Sequence, residues 1–555
     1  YPPGDTKRKE IPLRSISPSR EGQSEDTTER HLDGGWMPIP VVSHTQGAVT
    51  VQQRSFVAPL GKTDAADKAW WYNEQPLCVA EYTLTNSGDA AVVAMTWACA
   101  AEGEVSLREH ARGVTMEAGG QFAALFDTSG AAGLQPSVDG SRIVLSGPIP
   151  AKGSVTCVLL VPGWAATPEA LPAADRVASL LEVTKAHWQD AMKGSARISV
   201  PDPMLTNLIA ASRVHCMLAA RNEDGERIEP WIASTYYGPL ESEAHSIIRG
   251  MQFLGHDDFA RRGLEFFVRQ YNERGYLTTG YTLIGTGWHL WALGEYYALN
   301  KDSEWLTGVA PEVSRVCRWI MAQRKKTMLA KDATQRPPDY GLMPPGVLAD
   351  WSVYSHYFYL NGNYYAGLKS AGEALADIGQ DEADEILKEA AVFRGDIERA
   401  FRHVQAPAPV LPLRDGTWAL PYPTQLYAPI PTEELYADGD DMGRTWAYDV
   451  ELGAHHLVPM GVLDAADPSV TAMINHREDV QFLKSGWLYY PEAGNRADWF
   501  NLGGFAKVQP FYARNAEVHG FGRQIDEWGR LHRQFQAFLA YEDPAPEGER
   551  QPDAV

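Results

Sequence analysis

Three runs of this sequence set carboxylates among aromatic rings in loop-like surroundings. The first is Trp231-Ile232-Ala233-Ser234-Thr235-Tyr236-Tyr237-Gly238-Pro239-Leu240-Glu241-Ser242-Glu243, where a proline-punctuated aromatic stretch leads two glutamates onto the start of a helical pattern. The positive end of a helix favours ionised carboxylates, so Glu241 and Glu243 read equally as capping acids and as groups that meet a substrate. The second run passes from Pro338-Asp339-Tyr340 to Asp350-Trp351 and on to Tyr354, His356, Tyr357 and Asn361. An aspartate against a tryptophan ring has its charged form desolvated, which raises the carboxyl pKa toward what a general acid needs. The same place before a helix also suits an N-cap. The third run, from Trp487 to Asn501, holds Glu492 in a Tyr-Tyr-Pro-Glu-x-Gly-Asn loop with Arg496, Asp498 and Trp499 close behind. Arg496 is placed to pair with Glu492 or to meet a ligand. Two carboxyl groups facing each other about 6.5–9.5 Å apart, one protonated and one ionised, are what inverting hydrolysis of a glycosidic bond requires. Flat amphipathic rings are what stack on sugar faces.

Other candidates are weaker. The acidic run Glu433 to Trp446 contains Asp438-Gly439-Asp440-Asp441 but lacks the twelve-residue grammar of an EF-hand, and reads as a solvated loop. His245, His289, His356, His455 and His519 lie on or beside helical patterns, where a satisfied structural histidine is the default reading. No His-Glu-x-x-His or Ser-His-Asp order is present, so neither a metal nor another cofactor is expected. The cysteines at 78, 99, 157, 216 and 317 are scattered singly in apolar patterns, unlike a zinc spacing or a disulfide framework, and read as buried thiols.

The elements that must position these runs divide the chain of 555 residues into several parts. Residues 1–30 are polar and read as an arm or linker. Residues 31–163 alternate with a period of two, as in Leu77 to Leu84, Val92 to Trp97 and Val155 to Val161, with turn signals at Asn86-Ser87-Gly88-Asp89 and Asp139-Gly140. Many short strands without intervening helices imply an antiparallel β-sandwich. Residues 164–200 read as a Pro/Ala linker followed by a connector helix from about Asp175 to Lys193. Residues 201–541 carry about eleven helical segments, among them the stripes Leu205, Leu208, Ile209, Cys216; Val313, Val316, Cys317, Ile320, Met321; and Ile386, Ala390, Phe393, Ile397. Short breaks alternate with long ones, as expected for helical hairpins closed at one end by tight joints and furnished at the other with loops. Residues 542–555 read as a disordered tail. The chain begins at Tyr1 without an apolar signal core, and the sequence leaves its compartment open.

Composition narrows the partners. With 49 basic and 71 acidic residues the net charge is −22, which repels phosphate backbones and argues against nucleic acid. No apolar run approaches the roughly 20 residues of a membrane span. Oligomeric state is not legible.

Several runs resemble the six-hairpin glycosidase superfamily, which includes glucoamylases, processing α-glucosidases and bacterial α-L-rhamnosidases. They are Gly285-Thr286-Gly287-Trp288-His289-Leu290-Trp291-Ala292-Leu293-Gly294-Glu295-Tyr296-Tyr297 with Lys301-Asp302-Ser303-Glu304-Trp305-Leu306, then Tyr340-Gly341-Leu342-Met343-Pro344-Pro345-Gly346 with Asp350-Trp351, and Val508-Gln509-Pro510-Phe511-Tyr512. The resemblance implies a multidomain protein, an N-terminal antiparallel β-sandwich followed by an all-α (α/α)6 barrel, that hydrolyses glycosidic bonds of an oligo- or polysaccharide with inversion. Late-loop glutamates serve as base in several resembling families, so the expectation is an exo-acting enzyme with Glu492 as general base and Asp350 or Glu241 as general acid. Trp231, Tyr236, Trp288, Trp351 and Trp499 would wall the sugar subsites, with Tyr237, Glu243, His289, Tyr357, Asn361, Arg496 and Asp498 as further contacts. The sequence departs from glucoamylases in having Met343-Pro344-Pro345 where they place a glutamate pair. A polysaccharide lyase, a glycoside phosphorylase and a non-catalytic carbohydrate-binding protein are the alternatives; a lyase needs cations for a uronate carboxylate, and the three runs are nearly free of lysine.

Overall fold

The structure, a computed structural model, describes residues 13–18, 27–60, 75–89, 91–101, 105–221, 241–277, 284–329, 332, 334, 336–346, 354–413, 415–427 and 456–475. The chain forms two compact units, one of residues 1–228 with 234–236 and one of residues 229–233 with 237–555.

The first unit is built on antiparallel strands: β1 (Leu13–Pro18), β2 (Thr27–Leu32), β3 (Pro40–Gln46), β4 (Val49–Leu60), β5 (Gln75–Asn86), β6 (Ala91–Ala101), β7 (Val105–His110), β8 (Gly113–Ala118), β9 (Gln121–Asp127), β10 (Gln135–Asp139), β11 (Arg142–Ile149) and β12 (Ser154–Pro162). They pair as a four-stranded sheet in the order β1-β6-β11-β10 and an eight-stranded sheet in the order β2-β3-β4-β5-β12-β9-β8-β7. The period-two pattern decides what each face meets. On β12, Val155, Cys157 and Leu159 join Tyr82 and Leu84 of β5 in a core shared with Ile143, Leu145 and Ile149 of the smaller sheet. The alternate residues Val158 and Leu160 join Leu77 and Val79 in a second core. That second core is closed by helix α1 (Val177–Ala191) through Val177, Leu180, Leu181 and Trp188. The large sheet is thus buried on both faces, which is why its central strands read as nearly continuous apolar runs.

Helix α2 (Pro203–Ala219) starts where Asp202 accepts a hydrogen bond from the Met204 amide at 2.8 Å, with Pro203 in the first turn. Its Val214 lies in the second core, so this helix belongs by contact to the first unit. A side chain organises the linker before α1. Arg112 bonds the buried Asp127 carboxylate from both Nε and Nη2, at 2.9 and 2.7 Å, and also donates to the carbonyls of Pro168, Leu171 and Pro172. Of the thiols, Cys157 and Cys317 are buried and Cys216 is half-buried; Cys78, expected to be buried, is exposed on β5.

The second unit contains three consecutive described hairpins: α3 (Glu241–Phe253) with α4 (Asp257–Val268), α5 (Ile284–Asn300) with α6 (Ser303–Arg324), and α7 (Phe358–Asp377) with α8 (Ala383–Gln405). Two kinds of helix alternate. Every residue from Gly285 to Gly294 on α5 and from Phe358 to Leu368 on α7 is buried. A helix buried all round must have neighbours on every side. Helices α4, α6 and α8 instead bury one stripe each, such as Ile386, Ala390, Phe393 and Ile397 on α8. Helix α5 accordingly packs between α3 and α7, and the one-sided helices pack against this row. Gly287 makes the approach of α5 to α7 close enough that a Cβ there would stand 2.7 Å from the Tyr364 amide nitrogen.

Within each hairpin the joint is short: residues 254–256, 301–302 and 378–382. Between hairpins it is long, at 269–283 and 325–357. Antiparallel pairing within each hairpin then starts α3, α5 and α7 at one common end, and the long joints gather there. No described helix is long and apolar enough to cross a membrane.

Candidate functional site

By chain order, two of the carboxylate runs lead into helices that begin at one rim, the first into α3 and the second into α7. Glu241 is the first residue of α3 and Glu243 lies in its first turn; their side chains lie outside what the structure describes. Trp231, Tyr236, Tyr237, Asp350, Trp351, Glu492, Arg496, Asp498 and Trp499 lie outside the described residues, as do the Asp438–Asp441 run and the last part of the expected helical region, from 476 to 541.

The described flanks of the Asp350 loop are closely tied. Gly346 and Ser355 exchange two backbone hydrogen bonds, at 2.9 and 3.0 Å, so the ends of the loop stand side by side. The Asn361 carboxamide accepts from the Met343 amide at 2.8 Å and donates to the Tyr357 carbonyl at 2.8 Å. His356 sets Nδ1 2.9 Å from the Met343 carbonyl, and Nε2 lies 4.0 Å from the Asp339 carboxylate. Burial pushes its pKa down, against the pull of that hydrogen bond and of Asp339, so the imidazole is neutral at pH 7 and donates from Nδ1. A third segment joins: the Phe358 amide donates to the Thr424 carbonyl at 2.9 Å and the Leu426 amide to the His356 carbonyl at 3.0 Å.

Behind this loop stands a buried ion cluster. Arg324, at the end of α6, is fully buried, donates from Nε to the Gly341 carbonyl at 2.8 Å and from Nη2 to Asp396 at 2.8 Å, and pairs with Glu389 from Nη1. Its guanidinium lies 4.2 Å from the Phe393 ring centroid. Asp396 is shared with Arg399 at 3.2 Å, and Arg399 in turn bonds the Tyr340 carbonyl at 2.5 Å. Gly341 has φ of +78°, and a Cβ there would collide with the Asp396 carboxylate, so this turn needs glycine on both counts. Helices α6 and α8 therefore grip the backbone at 340–341 before it enters the candidate loop.

Four residues expected to touch sugar are core residues instead. His289 is 3% exposed; its Nε2 lies 3.1 Å from the Leu264 carbonyl and its Nδ1 2.5 Å from the Tyr271 hydroxyl. Burial lowers its pKa to about 4, so the ring is neutral, donating from Nε2 and accepting at Nδ1. Neither nitrogen is left for a ligand. Trp288 is 2% exposed and packs on His245 and Tyr359, with ring centroids 4.7 and 6.0 Å away. Tyr357 and Asn361 are fully buried, and Asn361 spends its amide on the loop. The Arg324 cluster has no local mark in the sequence, because Gly341, Glu389 and Asp396 lie 17 to 72 residues from Arg324.

No family model matches the sequence, and no curated protein matches it by sequence. Solved structures align with it in space. A bacterial glucoamylase complexed with acarbose aligns over 81% of this chain and 69% of its own, at 9% identity and a TM-score of 0.46. A protein described as a kojibiose phosphorylase, from the human microbiome, aligns over 94% and 75%, at 9% identity and a TM-score of 0.38. A rhamnosidase from Klebsiella oxytoca with rhamnose bound aligns over 90% and 88%, at 11% identity and a TM-score of 0.34. At such identities and TM-scores, neither activity nor substrate passes from these proteins to this chain.

Proposed function

We propose that the chain is an inverting glycoside hydrolase acting on an oligo- or polysaccharide, its described hairpins forming part of an (α/α)6 barrel. Glu492 is the general base, and Asp350 or Glu241 the general acid. Trp231, Tyr236, Trp351 and Trp499 wall the sugar subsites, and Tyr237, Glu243, Arg496 and Asp498 supply polar contacts. The observation that carries the reading is the common start of α3, α5 and α7. Glu241 opens α3, and the loop holding Asp350 enters α7, so two of the three acids belong to one rim by chain order. A two-carboxylate mechanism needs acids from separate loops converging across a pocket, and a rim of long joints is where such loops meet.

The loop's anchoring also favours this reading. Catalytic groups must be held within a fraction of an ångström by supporting contacts, and the Gly346–Ser355 pair, Asn361 and the Arg324 cluster are contacts of that type. The test is hydrolysis of a panel of aryl glycosides and oligosaccharides by the wild type and by Glu492→Gln, Asp350→Asn and Glu241→Gln. Loss of an acid or base should lower kcat by roughly 10²–10⁴-fold. Proton NMR of the first-formed anomer gives the stereochemistry. Full activity in Glu492→Gln, or retention of configuration, would overturn the assignment.

A further inference from the structure

The acidic chain carries one conspicuously basic recess among its described residues. A groove of about 550 Å3 lies between the second half of α6 and the joint that leads into α5. It is lined by Arg274, Arg315, Arg318 and Lys326 around two aromatic rings, Tyr276 and Trp319, and no carboxylate is among the described residues that line it. In a chain of net charge −22, four cations and no acid among the described residues around one recess run against the overall field.

The chain's own acids answer only part of that charge. Glu382 bonds Arg318 at 2.6 Å and Glu312 stands 3.8 Å from Arg315. Among the described residues, no carboxylate lies within ion-pair distance of Arg274 or Lys326. The floor is aromatic: the Tyr276 and Trp319 rings are half-buried, 5.5 Å apart between centroids and inclined by 38°. The wall is preformed. Asn272 Oδ1 accepts from the amides of Arg274, Gly275 and Tyr276 at 2.9, 3.0 and 3.3 Å, and Gly275, with φ of +97°, lets the turn press on the Arg315 carbonyl, where a Cβ would stand 2.6 Å away. Trp319 is braced from behind by Tyr364 of α7, 6.0 Å between ring centroids. Tyr276 and Arg274 belong to the long joint before α5, so the groove sits at the same end as the candidate rim.

We infer that this groove binds an acidic sugar unit, its ring stacked on Trp319 and Tyr276 and its carboxylate or sulfate held by Arg274 and Lys326. Stacking supplies the apolar face that a pyranose offers, and the unanswered cations supply charge-assisted hydrogen bonds. This rests on the reading of the chain as a glycoside hydrolase and deepens it: the substrate class becomes an anionic glycan.

The experiment is isothermal titration of the full chain with a glucuronate-bearing trisaccharide and with the same trisaccharide carrying glucose in place of glucuronate. The acidic ligand should bind at least about tenfold more tightly, the scale of one or two charge-assisted hydrogen bonds. The double variant Arg274→Ser/Lys326→Ser, at exposed positions, should erase that difference while the circular dichroism melt stays put. Equal affinity for the two ligands, or a preference that survives the double variant, would overturn the inference. Hydrolysis of neutral aryl glycosides by the same variant keeps the two readings apart. It should match the wild type, and a wild type that binds the acidic ligand selectively yet cleaves no glycoside would remove the hydrolase reading alone.

Discussion

Replacing Arg324 by methionine tests whether the buried ion cluster holds the backbone that enters α7. The change removes the donor to the Gly341 carbonyl and the ion-pair partner of Asp396 and Glu389. Asp396, with a side chain only 6% exposed, keeps only Arg399 at 3.2 Å, whereas Glu389, at 20%, can turn toward water. Breaking one side of a buried pair costs about 3–5 kcal/mol because it strands a charge. Methionine preserves the apolar stem against Phe393, so a loss near the lower end, about 3 kcal/mol, is expected. For a unit of roughly 300 residues, with a melting entropy near 2.1 cal/mol/K per residue, that is a fall in Tm of about 5 °C. Urea denaturation followed by tryptophan fluorescence measures it, and limited proteolysis should show new cleavage between Pro337 and Gly346. The variant Asp396→Asn and the double variant complete a cycle. Since each single change strands the other partner, the double variant should lose at least about 1 kcal/mol less than the sum of the singles. A loss under about 0.5 kcal/mol in Arg324→Met, or singles that add, would refute the clamp.

Three further outcomes are expected. His289 has its pKa lowered to about 4 by burial, against about 6.5 in the unfolded chain, so the unfolded state takes the proton first. This costs nothing above about pH 6.5 and lowers stability as pH falls toward 4, by about 2 kcal/mol between pH 7 and pH 5; His289→Gln should flatten that dependence, and an unchanged pH slope would contradict it. Gly287→Ala gains helix propensity on paper but drives a methyl into the Tyr364 backbone at 2.7 Å, so a net loss of about 1–3 kcal/mol is expected, and a variant as stable as the wild type would show that α5 and α7 are not so tightly packed. Arg112→Gln removes the donor that joins Asp127 to the carbonyls of Pro168, Leu171 and Pro172, and should cost about 2–4 kcal/mol in the first unit and open residues 164–174 to proteolysis; an unaltered digestion pattern would argue against the staple.

The sequence disclosed elements better than contacts, and the reason lies in what periodicity measures. Segments Val155 to Val161 and Leu77 to Leu84 were legible as strands because one residue in two must face a core, and β12 and β5 appear there. The stripe Ile386, Ala390, Phe393 and Ile397 was legible because α8 buries a single face. Helices α5 and α7 have less of that contrast, being buried over most of their length, and their runs are dense in Trp and Tyr. That same density misled the assignment of contacts. An all-buried helix wedged between two others has to fill wide gaps with large rings, and an aromatic such as Trp288 or Tyr357 then satisfies packing before any ligand. Helix α2 was legible as a helix but not as a partner of the sheet unit, because Val214 has no local mark of the core it enters. Aromatic residues therefore point to a sugar site only where their surroundings forbid a helix core, as in proline- and glycine-punctuated runs. By that criterion Trp231, Trp351 and Trp499 remain candidate subsite walls, and Trp319, half-buried against the turn at Asn272 to Tyr276 in a recess that Arg274 and Lys326 also line, joins them as the proposed platform for an acidic sugar, one that no motif announced.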